Sequence, residues 1–158
     1  MAKKMPEEPL YAQDLRALMR NLEKHKGLLA MLGLVVGAGL TMEECLQIRL
    51  SDIDYSTSRV RIYDKWYNHW RHVQLSPRII AMVSEYHNGR KEEDKRLFML
   101  SATSAARYLD ELGKARLGRR VSWPELRHLW VVMIESQEPD DLLSIVDSKS
   151  TTVRRKPV

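Results

Sequence analysis

The segment GLLAMLGLVVGAGL, residues 27–40, is apolar on every side and carries no charge. A helix without a polar face must be surrounded by protein or by lipid. This one is shorter than a bilayer requires and runs out into glycines, so it reads as a buried helix and not as a membrane span. With 158 residues, 44% of them apolar and 30% charged, the chain has the material for one domain with a sizeable core and too little to argue for two. The start, MAKKMPEEPL, is charged with no apolar stretch behind it, so it is not a secretory signal, and residues 1–8 read as a flexible leader. The single cysteine, Cys45, excludes an internal disulfide framework and makes a reducing cytoplasm the expected location. It shares helical spacing with Met42 and Leu46 and reads as a small apolar filler.

Around the apolar helix the pattern predicts mostly helices. Leu15, Leu18 and Leu22 recur at three- and four-residue spacing, which predicts a helix over about 12–23. Thr41 followed by Glu44 is a capping box that opens a helix ending near SDID. In SRVRIYD, Val60 and Ile62 alternate with Arg59, Arg61 and Tyr63, and in RHVQLS, Val73 and Leu75 alternate with His72 and Gln74. These two strands, joined through DKWYNHW, predict a hairpin with Lys65 at its near edge. Ser76 and Pro77 then start a helix that stops at Asn88 and Gly89. After the charged loop RKEEDKR and the short apolar LFML, an amphipathic helix closes at Gly118. Ser122 and Glu125 form a second capping box, and a last helix is predicted from Pro139. The expected fold class is therefore α+β, mostly helical, with a small antiparallel sheet at one side. It occupies residues 9–148, with a basic tail over 149–158.

The formal charge is +5, and its placement matters more than its size. KARLGRR contributes Lys114, Arg116, Arg119 and Arg120 without a carboxylate, and Lys149, Arg154, Arg155 and Lys156 follow near the end. Such clusters suit a polyanion partner or are simply solvated surface. No metal-ligand spacing, glycine-rich phosphate loop or nucleophile elbow is present, so no cofactor and no metal is expected; His69 and His72 on the hairpin are weak evidence for one.

Several stretches, in this order, resemble the catalytic domain of the tyrosine recombinases, the phage-integrase family. They are the apolar helix with its glycine turn and the helix ending in R-x-S-D-I-D; the hairpin SRVRIYDKWYNHWRHVQLS; RLFML; and PELRHLW, similar to the family's H-x-L-R-H signature. The resemblance implies that fold, a duplex DNA partner, and a chemistry in which a tyrosine attacks a phosphodiester. In that chemistry two arginines and neighbouring histidine or tryptophan groups stabilise the phosphoryl oxygens, and a hairpin lysine protonates the leaving hydroxyl. Carried over by position, Lys65 stands for the general acid, Arg127 for the second arginine, and His128 follows it as the family often has.

The departures are equally specific. Thr41 holds the first arginine's place and Pro124 that of the signature's leading histidine. STTVRR puts Arg155 near where the nucleophile is expected, and no tyrosine follows Tyr108. Pro124 is tolerated because a first-turn amide has no partner within its helix. Arg127 near a helix start opposes the local dipole, which calls for a ligand phosphate or for a carboxylate such as Glu125 or Glu44. Lys65 is either that remnant or a solvated hairpin lysine. Trp66, Tyr67 and Trp70 either cover the core edge or stack on a partner.

The expectation is a DNA-binding, integrase-like protein inactive in strand cleavage and joining, DNA-associated in the cytoplasm, with Lys65, Arg71, Lys114, Arg119, Arg120 and Arg127 on its DNA face. Two alternatives stand beside it. One is a fragment or split recombinase whose tyrosine comes from another chain. The other is an interaction module that docks on active recombinases or on itself. Only a few residues precede the first helix, whereas most members of the family close an extra domain around DNA; a half-clamp is expected to bind more weakly, with a shallower salt dependence.

Overall fold

The structure is a computed structural model that describes residues 9–88 and 95–135. Within them the chain forms α1 (Ala12–Met19), α2 (Lys26–Ala38), α3 (Met42–Leu46), β1 (Ile53–Asp54), β2 (Arg59–Asp64), β3 (His69–Gln74), α4 (Pro77–Asn88), α5 (Ala102–Leu117) and α6 (Trp123–Glu135). It is a mostly helical α+β fold with one antiparallel sheet, in the order β1-β2-β3. The predicted leader, most of the charged loop, the helix from Pro139 and the basic tail with Arg155 lie outside the described residues.

The apolar helix is the axis of the molecule. Residues 30–36 of α2 are all buried, with both α4 and α6 packed against the helix. The α4 crossing is tight: a Cβ on Gly33 would lie 2.8 Å from the Met82 sulfur. At the end of α2, Gly39 adopts φ 78°, and its amide donates to the carbonyls of Leu34 and Val35. That left-handed cap favours glycine. The Trp130 ring makes it a requirement, since a Cβ there would come within 2.5 Å of the ring. No helix among the described residues is long and apolar enough to cross a membrane. Cys45 is fully buried, and burial pushes its thiol pKa well up, as suits a filler and not a nucleophile.

Two boundaries differ from the sequence expectation. The first helix stops at Met19, short of 23, because Asn21 takes a left-handed conformation (φ 58°) and Arg116 of α5 donates to the carbonyls of Ala17 and Arg20. The helix after Thr41 ends at Leu46. A 3-10 turn, Leu50–Asp52, and the two-residue strand β1 follow it, so the sheet has three strands where the sequence showed two. Within the SDID segment Asp52 is buried, accepting from the Arg49 amide at 2.9 Å and from the Arg61 guanidinium at 3.1 Å. The hairpin register pairs Val60 with Val73, Ile62 with Arg71 and Tyr63 with Trp70. Val60, Ile62 and Leu75 enter the core, while Arg61, His72 and Trp70 share the outer face.

Candidate functional site

The junction between α2 and α6 forms the site. Thr41 caps α3: its hydroxyl accepts from the Glu44 amide at 3.1 Å, and the Glu44 carboxylate accepts from the Thr41 amide at 3.0 Å. Ser122 and Glu125 repeat the device at α6, with the Ser122 amide donating to Glu125 at 3.0 Å. Pro124 sits in the first turn of α6, where its missing amide costs nothing. Trp123 anchors that turn in the core, its indole N–H donating to the Ala105 carbonyl at 3.0 Å.

Between these caps lies a cavity of about 270 Å³ lined by Thr41, Glu43, Trp123, Pro124, Arg127 and His128, among others. Arg127 is held at its edge. Its Nε donates to the Gly39 carbonyl at 2.9 Å, and the guanidinium carbon lies 5.7 Å from the Trp130 ring centre. The expected carboxylate partners are occupied elsewhere: Glu125 binds Arg119 and Glu44 binds Arg71. Arg127 instead reaches the C-terminal end of α2, where the helix dipole favours a cation. Its two terminal nitrogens have no protein partner among the described residues. Arg127 and His128 favour an anion in this cavity, while the Glu43 carboxylate on the same lining opposes one.

The other residues of the expected set are distributed as follows. Lys65 is exposed in the hairpin turn and is not part of the cavity lining. That hairpin is tied to α3 by Arg71 of β3, whose Nη1 lies 3.2 Å from Glu44 and 3.6 Å from Asp64, the residue before Lys65. Lys114 and Arg120 flank a single carboxylate, Asp110, at 3.6 and 3.2 Å. Arg119 pairs with Glu125. Thus Thr41, Pro124, Arg127 and His128 converge, Lys65 stands apart from them, and Arg155 lies outside the described residues. His69 and His72 project from opposite faces of β3, and no cluster of three or more metal-ligating side chains occurs among the described residues. Sequence reasoning missed Glu43, Trp130 and the Gly39 carbonyl. Glu43 carried a signal, as an acidic first-turn residue beside Thr41; the other two contacts are made across the fold and left none.

The sequence profile of the phage integrase family matches residues 8–144. The chain belongs to that family. Among curated proteins none matches the chain in sequence. Among solved structures, the fold of this integrase-family chain is similar to that of XerA recombinase, with TM-score 0.72, 16% identity, and coverage of 98% of this chain and 62% of that one. It is also similar to the integrase from mycobacterium phage Brujita, with TM-score 0.67, 19% identity, and coverage of 97% and 53%. A third similar structure is the Tn1549 transposon integrase in complex with transposon right end DNA, with TM-score 0.72, 12% identity, and coverage of 93% and 59%. The chain therefore spans roughly half to three-fifths of the length of these structures.

Proposed function

We propose that this integrase-family domain binds duplex DNA through two separate cationic contacts, Arg127 at its cavity and Lys65 on the hairpin, and that it does not by itself cleave or rejoin a strand. Arg127 supports the first part. With Nε committed to Gly39, its two terminal nitrogens remain as donors, and a guanidinium can offer such a pair to the oxygens of one phosphate. Lys65 supplies a second, exposed cation from the hairpin. Arg71, Lys114, Arg119 and Arg120 add to the field, though each is partly offset by its carboxylate. The pairs of Lys114 and Arg120 with Asp110 have exposed cations and are weak enough for a phosphate to displace, whereas those of Arg71 and Arg119 are part-buried. A similar fold in complex with DNA, the Tn1549 integrase, supports the same partner.

The observation that carries the second part is that all six tyrosines of these 158 residues lie among the described ones, and none lines the Arg127 cavity. Thr41 and Pro124 there offer neither the guanidinium nor the imidazole that the chemistry uses. Loss of one such donor lowers a rate by about 10²–10³-fold, and loss of the nucleophile removes the covalent route. The test is a nicked suicide duplex incubated with the chain. No covalent protein–DNA adduct is expected, and an adduct formed by the chain alone would sink the inactive reading. An adduct that appears only with a second, tyrosine-bearing recombinase chain would identify a split enzyme.

The carboxylates beside Arg71, Lys114, Arg119 and Arg120 favour a second reading, in which the domain docks on another recombinase chain or on itself. Failure to bind DNA at low salt, together with self-association, would select it.

A further inference from the structure

We infer that the tip of the β2–β3 hairpin is an aromatic wedge, Trp66 with Tyr67, that inserts at a base step of the bound duplex. The inference rests on the DNA-binding reading above and goes beyond it to a separate contact. Trp66 is 87% exposed and Tyr67 76%, the two most exposed large apolar side chains among the described residues. They are not loose. The Asp64 carboxylate accepts from the Trp66 amide at 3.0 Å and from the Tyr67 amide at 3.3 Å, and Asn68 closes the turn at φ 55° while accepting from the Tyr63 hydroxyl. Below the tip Trp70 is clamped, with Tyr63 edge-on at 5.3 Å and the Arg61 guanidinium 4.3 Å from its ring centre. At the tip Tyr67 meets only the His69 ring, centre to centre at 6.1 Å, and Trp66 has no ring partner among the described residues. The turn beneath them is built in advance, so little ordering entropy is lost when they engage a ligand.

The occupant follows from charge and continuity. Lys65 adjoins the two rings in the same turn, and Arg71, two residues into β3 from that turn, ties the hairpin to Glu44, next to the Thr41 cap of the Arg127 cavity. A phosphate-bearing chain that lies along Arg127 and reaches the hairpin meets a cation first and flat apolar rings immediately after it. That order suits a groove in which a backbone contact precedes partial unstacking. Unstacking is easiest at pyrimidine–purine steps such as TA, so the wedge selects a flexible step and not a base identity.

The experiment measures end-to-end energy transfer and affinity on an end-labelled duplex of about 30 base pairs, with a central TA step or a stiff A-tract. The intact chain is expected to bend the TA duplex by at least about 20° and to prefer it. The double variant Trp66→Ala/Tyr67→Ala is expected to lose the bend and to bind about fivefold to a hundredfold more weakly, with its salt slope unchanged because no phosphate contact is lost. Trp66→Phe should keep most of the bend. The exposed positions predict an unaltered Tm, measured alongside. A double variant that binds and bends like the parent overturns the wedge and leaves DNA binding intact, and so does a parent that binds without bending. Failure of the parent to bind any duplex removes both proposals together. If the variant changes only self-association, the rings belong to a protein contact and the wedge is wrong.

Discussion

Arg127 shows how one residue can serve the fold and remain available for a ligand. A cation in the first turns of α6 is disfavoured by that helix's own dipole, yet its Nε ends 2.9 Å from the Gly39 carbonyl at the terminus of α2, where the opposite pole lies. The contact also fills a structural need, because a carbonyl beyond the last turn of a helix has no partner within it. Removing the side chain strips that acceptor of its donor and takes away the packing against Trp130. Arg127→Ala is therefore expected to lower stability by about 1–2 kcal/mol, read from a urea midpoint, in addition to any loss of DNA affinity. Lys recovers the charge without the fork, so Arg127→Lys should restore stability better than it restores phosphate binding. A variant of unchanged stability would show that the Gly39 contact contributes nothing to the fold.

The local signals of the elements were legible in the sequence, and the non-local ones were not. Both capping boxes form as their spacing predicts, because the groups that satisfy each other lie within one turn. α3 spans only Met42–Leu46 and depends on its cap more than a longer helix would. Thr41→Ala is expected to cost about 1 kcal/mol, measured by the same denaturation. Thr41→Arg, which supplies the guanidinium that the family resemblance places there, should cost about as much, since Arg has no acceptor for the Glu44 amide. The end of α1 was misread because Arg116 and the left-handed Asn21 decide it, and periodicity reports neither. β1 was missed because two residues are too few to display alternation. The convergence of Thr41, Pro124, Arg127 and His128 followed from the resemblance alone. The position of Lys65 outside their cavity did not, because a hairpin is oriented by contacts made across the fold, here the pair of Arg71 with Glu44, and sequence spacing reports none of them.

For the whole molecule, the apolar axis α2 places the glycine turn beside α6, the sheet hangs from α3 by Arg71, and the cations of several elements are distributed over the surface among carboxylates. A net charge of +5 cannot by itself distinguish a DNA-binding face from ordinary solvated surface. Counterion release can, because each neutralised phosphate adds about 0.9 to the slope of log affinity against log salt. The most direct test is therefore duplex binding by the parent chain and by Lys65→Ala, titrated across a salt series. The account predicts binding that weakens steeply with salt, at a slope of more than one phosphate, and a slope about one unit shallower in the variant. No binding at low salt, or a flat slope that Lys65→Ala leaves untouched, would contradict it.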